Sequence, residues 1–364
     1  MAGRTVLIAG ASGLVGHAAL RHFAAEPDCA VVALSRRRPH DTRGARFLSV
    51  DLTDRGQVAA LSGALSGVTH LVYAALFEMP ALVDGWRDTQ QIATNDRMLR
   101  NLLGLMHTAS PHLRHVTLLQ GTKAYGVHVR PLQVPAREGR SEMREQANFY
   151  WQQEDYVRER QRGQSWSFTI LRPVLIVGEA LGGAMNLIPA TGAWAACLKD
   201  DGAAELPYPG GAERVAQAVD ADLLARAIGW AGEAPAARNE VFNVTNGDVF
   251  TWPNVWPAIA EANGMRPGPP APLSLAAAMQ ARAAQWDAIR ARHGLLAPDL
   301  ANFVGLSLQY ADYTMGLGRA QPGPPAIVST IKIMQAGFTE VMDTEAMFRK
   351  WFARFREVRL LPPV

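Results

Sequence analysis

The sequence predicts an α/β protein centred on a doubly wound parallel sheet with helices on both faces. Two observations carry that expectation. Short β-branched apolar runs alternate with helical stretches through the first half of the chain, and a glycine-rich turn joins the first run to the first helical stretch. A smaller, mostly helical region is expected toward the C-terminus.

Taken in order, TVLIAG, AVVALSR, HLVYAAL, HVTLLQG and SFTILRPVLIVG read as buried strands, because both faces of a parallel sheet are covered and its strands need no polar alternation. Between them, HAALRHFAAE, RGQVAALSGAL, NDRMLRNLLGLMHTAS and YWQQEDYVRERQR read as helices. Six or seven strands are expected in all. After Gly178 the rhythm gives way to small-residue and proline-rich stretches such as GGAMNLIPATGAWAACL. A cofactor-binding core is therefore placed at residues 1–178 and a mainly substrate-binding region at 179–364. The stretch NEVFNVTNGD implies that about 215–250 returns to the core.

Composition narrows the function classes. The 364 residues are 48% hydrophobic and 19% charged, enough to bury a large core. The net charge is only +3, and the basic residues, 32 arginines and four lysines, form no blocks interleaved with aromatics, so nucleic acid is not an expected partner. No stretch offers the roughly 20 apolar residues of a membrane helix. Two cysteines, Cys29 and Cys197, make neither a disulfide framework nor a metal site, so no metal is expected and a reducing cytoplasm fits best. No apolar stripe selects between monomer and homodimer.

The turn GASGLVG follows a strand and precedes a helix, where a dinucleotide pyrophosphate needs close backbone approach and helix N-terminal amides. Gly10, Ser12, Gly13, Leu14, Val15 and Gly16 are its candidates. At the end of the second strand Ser35, Arg36 and Arg37 stand where an NAD-binding chain would keep an acidic residue. Guanidinium forks suit a 2′-phosphate, so the expected cofactor of this Rossmann-type core is NADP(H). Asp51 and Leu52 follow the third strand at the adenine position, and Ala74 and Ala75 end the fourth beside the pyrophosphate.

Reductases on such folds place a tyrosine hydroxyl beside the nicotinamide, with a lysine four residues later that lowers its pKa from about 10. In NFYWQQEDY the tyrosine is Tyr150, but Glu154 occupies the lysine position, and no other tyrosine in the chain has the spacing. Lysine is rare here, and Lys123 in QGTKAYG, after Gly121, lies at the carboxyl end of a predicted strand, on the side where α/β folds bind ligands. A half-buried helix aromatic and a surface cation account for the same letters. Glu154 and Asp155 are adjacent on one helix, point in different directions, and are expected on a solvated face. The histidines, His115 and His128 among them, show no metal spacing.

In this arrangement the chain resembles the progesterone 5β-reductase and iridoid synthase-like group of short-chain dehydrogenases/reductases. That group keeps its lysine in a motif near TGxKHY and its tyrosine in one near NFYYxxED, matched by Lys123 and Tyr150. GASGLVG, SRRRP, LRPVLIVG, NEVFNVTNGDVFTW and AGFTEVMDTEAMF extend the likeness nearly end to end. Trp151 and the residues around Lys123 depart from the pattern, so steroid or iridoid specificity is not carried over. The resemblance implies NADPH-dependent reduction of the activated C=C bond of hydrophobic enones or enals, with Tyr150 and Lys123 catalytic. It also implies a nicotinamide contact by Pro173, Val174 and Ile176. Phe77, Trp151, Met185 and Trp194 are candidates for an apolar pocket or plain core. The competing enzymatic reading is an extended-type carbonyl reductase or nucleotide-sugar epimerase; a non-catalytic NADPH sensor is the reading from another class.

Overall fold

A computed structural model describes residues 3–364. The chain forms two units. One comprises the residues up to Val174 together with Asp222–Val244 and Val328–Glu340; the other comprises Leu175–Ala221, Thr245–Ile327 and Val341–Val364. The chain returns to the first unit at Asp222–Val244 and again at Val328–Glu340.

The first unit is built on seven strands: β1 (Arg4–Ala9), β2 (Cys29–Ser35), β3 (Arg46–Ser49), β4 (His70–Tyr73), β5 (His115–Leu119), β6 (Ser167–Pro173) and β7 (Glu240–Val244). Their order in space is β7-β6-β5-β4-β1-β2-β3, and every neighbouring pair is parallel. The order reverses between β1 and β4, which makes the carboxyl ends of those strands the crevice where such sheets take ligands. Continuous apolar runs give the inner strands because both faces are covered, whereas the edge strand β3, RFLS, is exposed at both its ends. Val6 to Ala9 are fully buried, and the core on one face joins Leu7, Leu34, Leu71 and Val116 to the helix α2 (Thr89–Ala109) through Leu99, Leu102 and Met106. Asp88 caps α2 by accepting from the amides of Gln90 and Gln91.

The second unit is mostly helical. It holds two small parallel pairs, Leu175–Val177 with Ala218–Asp220 and Glu205–Tyr208 with Arg266–Pro270. Its core is aromatic: Trp256 lies 6.2 Å from Trp194 and 5.4 Å from Tyr208, ring centre to ring centre. Asp220 is buried and accepts from both Lys350 and the Trp351 indole, which anchors the helix Thr344–Glu357. No described helix is long and apolar enough to cross a membrane.

A charged side chain lies deep inside the first unit. Arg172, on β6, is 1% exposed. Its guanidinium donates to Gln120 Oε1 at 2.8 Å, Glu142 Oε1 at 2.7 Å, the Tyr125 hydroxyl at 3.3 Å and Glu154 Oε2 at 3.4 Å. Tyr125 in turn donates to Asn243, which pairs with Arg172 in the β6–β7 register. Such a cation is tolerated only because each donor finds an acceptor. Replacing Arg172 with alanine should therefore cost about 3–5 kcal/mol, because Glu142 loses its buried counter-charge and Gln120 its donor. Replacing the exposed Asp155, paired with Arg144 at 3.0 Å, should cost less than about 1 kcal/mol. Urea denaturation of the two variants measures both.

Candidate functional site

The glycine-rich turn is shaped by the absence of side chains. Gly10 sits at φ 86°, and a Cβ there would lie 2.7 Å from the backbone of Ala74 and Ala75. A Cβ at Gly16 would lie 2.1 Å from the Gly10 carbonyl oxygen, and one at Gly13 would lie 3.3 Å from it. The turn therefore packs on the end of β4 and on the first turn of α1 (Leu14–Ala24), with no room for a side chain at Gly10 or Gly16. Gly13 is the N-cap of α1 and offers no side-chain acceptor to the first amides. Leu14, Val15 and Gly16 thus present helix N-terminal N–H groups beside Ser12, a seat that fits a pyrophosphate.

At the end of β2, Ser35 is buried and donates to the Arg37 carbonyl at 2.7 Å, while Arg36 and Arg37 are exposed. This tight turn holds two guanidiniums at the strand end with no acidic residue between them, an arrangement that fits a phosphomonoester. Asp51 accepts from both the amide and the hydroxyl of Thr53. The carbonyl of the buried Leu52 accepts from Asn101 at 2.8 Å.

Tyr150 and Lys123 arrive from different elements. Tyr150 stands in the first turn of α3 (Phe149–Gln161), whose cap residue Asn148 accepts from the Tyr150 amide at 3.1 Å. The Tyr150 carbonyl accepts from Gln120 Nε2 at 3.2 Å, so the backbone is held at both ends. The ring is buried against Ala124, Ile92 and Phe149. Its hydroxyl comes within 3.3 Å of the point where a Cβ on residue 121 would stand, beside the Pro173 carbonyl oxygen at 3.4 Å from that point. Gly121 lies two residues past β5 and opens the 3-10 turn Thr122–Tyr125 that carries Lys123. The hydroxyl and the lysine thus share one strand end. The Lys123 ammonium lies 3.9 Å from Glu78 Oε1 and 3.8 Å from the Trp86 ring centre, and its side chain is 13% exposed. Burial pushes its pKa down to about 8, against the opposing pull of the Glu78 charge.

Glu154 corrects an expectation. It does not lie on a solvated face: its side chain is 4% exposed and reaches Arg172, Arg144 and Arg158, whereas Asp155 is exposed. The reason is the Arg172 charge, which arrives from a neighbouring strand and draws the carboxylate inward. Phe77 packs against the core under α2, and Asn95 binds its backbone N–H and carbonyl. Trp151 donates to the Gln146 carbonyl and lies under Arg144. Pro173 and Val174 close the first unit; Ile176, Met185 and Trp194 belong to the second, where Met185 is half-buried and Trp194 packs on Trp256. Sequence reasoning missed Glu78, Gln91 and Gln120. A lone acid in LFEMP, just past a strand end, was the available signal.

Comparison with known proteins identifies the family. Residues 35–362 match the PRISE-like Rossmann-fold domain. The chain belongs to that family. It is similar to an (S)-8-oxocitronellyl enol synthase of Nepeta racemosa, 32% identical over 79% of this chain and 76% of the other. A short chain dehydrogenase of Penicillium aethiopicum is 27% identical over 99% of each chain. Among solved structures, the Bordetella bronchiseptica enzyme WbmH in complex with NAD+ superposes with a TM-score of 0.64 at 16% identity, covering 97% of this chain and 99% of that one. A UDP-glucose 4-epimerase superposes with a TM-score of 0.67 at 13% identity, covering 99% and 100%. These likenesses establish the shared fold.

Because Gly121 leaves room for the Tyr150 hydroxyl, Gly121→Ala should move that hydroxyl by a few tenths of an ångström while keeping the fold. A crystal structure of the variant measures the displacement.

Proposed function

We propose that this PRISE-like protein is an NADPH-dependent ene-reductase that saturates the activated C=C bond of hydrophobic enones or enals. The observation that carries the reading is the Tyr150 hydroxyl seated over Gly121, two residues before the only lysine at that strand end. The lysine and tyrosine motifs also match the order that distinguishes the group, and the relatives named as enol synthases agree with it. The working compartment in this reading is a reducing cytoplasm, in keeping with the free cysteines Cys29 and Cys197.

NADPH, when bound, supplies hydride to the carbon β to the carbonyl. Gly10 to Gly16 would hold its pyrophosphate, Ser35, Arg36 and Arg37 its 2′-phosphate, Asp51 and Leu52 its adenine, and Ala74 and Ala75 would flank it. Pro173 and Val174 are the proposed neighbours of the nicotinamide amide in the first unit. Tyr150 donates a hydrogen bond to the substrate carbonyl oxygen. That oxygen gains negative charge as the enolate forms, so the bond strengthens toward the transition state and lowers the barrier. Lys123 reinforces the hydroxyl by placing positive charge at the same strand end. Buried surroundings raise the worth of both interactions because little water screens them. Apolar walls suit a substrate whose one polar handle is its carbonyl, and Phe77 and Trp151 are the candidates for them in the first unit. A proton delivered to the α-carbon completes the reduction.

The decisive test is NADPH consumption with a panel of enones, 2-cyclohexen-1-one included, with product masses and carbonyl retention recorded. A saturated ketone is expected; an alcohol would sink this reading in favour of carbonyl reduction. Tyr150→Phe and Lys123→Ala should each lower kcat/KM by roughly 100-fold or more; activity indifferent to both would return Tyr150 to a helix aromatic, and a protein that binds NADPH but turns over no substrate would favour the sensor. Arg36→Ala/Arg37→Ala should raise the KM for NADPH by roughly 10- to 100-fold while leaving that for NADH nearly unchanged. Since the ammonium is the active form and its pKa is about 8, activity should fall as pH rises through that value. A pH profile of kcat/KM measures this limb.

A further inference from the structure

We propose that Glu78 is a positioning residue for Lys123: its carboxylate holds the ammonium charged and in place at the strand end where the Tyr150 hydroxyl sits. This rests on the ene-reductase reading for its consequence in catalysis, and on geometry for its substance.

Glu78 lies in the loop after β4 with its side chain 8% exposed. Its two oxygens are used unequally. Oε2 accepts from Gln91 Nε2 at 3.0 Å, and the oxygen of the same Gln91 amide accepts from the Met79 backbone N–H at 2.7 Å. One buried glutamine on α2 thereby grips both the carboxylate and the loop that carries it. Oε1, buried and without a hydrogen-bond partner among the described residues, is the atom that faces Lys123 at 3.9 Å. The Trp86 ring, 3.8 Å from the ammonium to its centre, provides a second contact. A flexible side chain of four methylenes is thus bracketed by a carboxylate and an aromatic face.

The same helix ties this bracket to the tyrosine. One turn after Gln91, the Asn95 side chain binds the Phe77 backbone, and the Asn95 carbonyl accepts from Gln153 Nε2 at 2.8 Å. Gln153 is three residues beyond Tyr150 on α3. Two adjacent turns of α2 therefore fix both the loop of Glu78 and the helix of Tyr150.

The charges facing Lys123 point to Glu78 as its counter-ion. From the loop after the 3-10 turn, His128 stands edge-on to Trp86 at 6.0 Å. Burial, then the charges of Lys123 and Arg87, push its pKa down to about 4, so it is neutral in the working range. Arg87 donates to the His128 carbonyl at 2.7 Å and adds a like charge. Glu78 supplies the negative charge, and Lys123 with Gln91 offsets the penalty that burial imposes on it. An opposite charge at this range sustains a cation's protonation by roughly 1–3 pKa units.

The test reads the lysine directly. The chain has four lysines, Lys123, Lys199, Lys332 and Lys350, so protein labelled with 13C-lysine gives four side-chain signals, assigned by single Lys→Arg variants. Lys123 is expected to titrate near pH 8, and in Glu78→Gln its midpoint should fall by roughly one unit or more. The alkaline limb of enone reduction should shift to lower pH by the same amount. An unmoved Lys123 midpoint in a folded Glu78→Gln variant overturns the proposal. If Glu78→Gln does not fold, the double variant Lys123→Met/Glu78→Gln decides. Its folding is expected, since no charge is left unpaired, and equal failure overturns the pairing. A shifted midpoint in a protein that reduces no enone at any pH would leave the ion pair standing and remove the ene-reductase reading.

Discussion

The buried guanidinium of Arg172 is the interaction on which the catalytic end of the first unit depends. Its acceptors come from three places: Gln120 at the end of β5, Glu142 and Tyr125 on either side of the loop that follows Lys123, and Glu154 on α3. Three of these, Gln120, Glu154 and Tyr125, stand next to Tyr150 or Lys123. Gln120 donates to the Tyr150 carbonyl, Glu154 lies one turn beyond Tyr150, and Tyr125 lies two residues after Lys123. A charge inside a sheet is costly unless fully answered, and the answering groups here are the supports of the candidate pair.

The cofactor end is constrained in a different way. The turn of Gly10, Gly13 and Gly16 is fixed by distances that exclude a Cβ at Gly10 and Gly16 and leave one at Gly13 tight. Gly10 lies against the backbone of Ala74 and Ala75, and Gly16 lies against Gly10 itself. Steric exclusion of this kind costs no desolvation and leaves backbone amides facing outward. A polar network, by contrast, positions side chains whose own chemistry matters. The first unit uses exclusion where the ligand is to be bound by backbone, and paired polar groups where side chains act on a reacting atom.

These two strategies differ in how far they can be read from sequence. Strands of a doubly covered parallel sheet are continuous apolar runs, and β1, β2, β4, β5 and β6 carried that signature, with β7 legible in NEVFNVTNGD; β3, the edge strand RFLS with both its ends exposed, did not. The glycine turn was legible because close approach demands residue type at fixed spacing. Arg172 carried no such mark, since an arginine after ILR in a strand reads like any other, and its partners lie 18 to 52 residues away. Glu154 was misplaced on a solvated face because reasoning from helical neighbours considered only α3 itself. Glu78 was silent for the same reason: Gln91, which grips it, is 13 residues away on another element. The second return, Val328–Glu340, contains only a short helix, Ile331–Gln335, and so showed no strand rhythm.

The separation of tyrosine and lysine explains why so much buried polarity gathers here. Two side chains four residues apart on one helix are neighbours by the geometry of the helix alone, with Cβ atoms about 5–6 Å apart. Once the lysine moves to the end of β5, that relation is lost and must be restored by contacts between elements. Gln120 ties β5 to α3, Asn95 and Gln91 tie α3 and the β4 loop to α2, and Arg172 ties the β5 end to α3 through β6. The position vacated on the helix is also put to use, because a lysine at 154 would face the buried Arg172 cation and repel it. Glutamate at that place pairs with the guanidinium instead, so the displaced lysine and the buried arginine are mutually consistent parts of one arrangement.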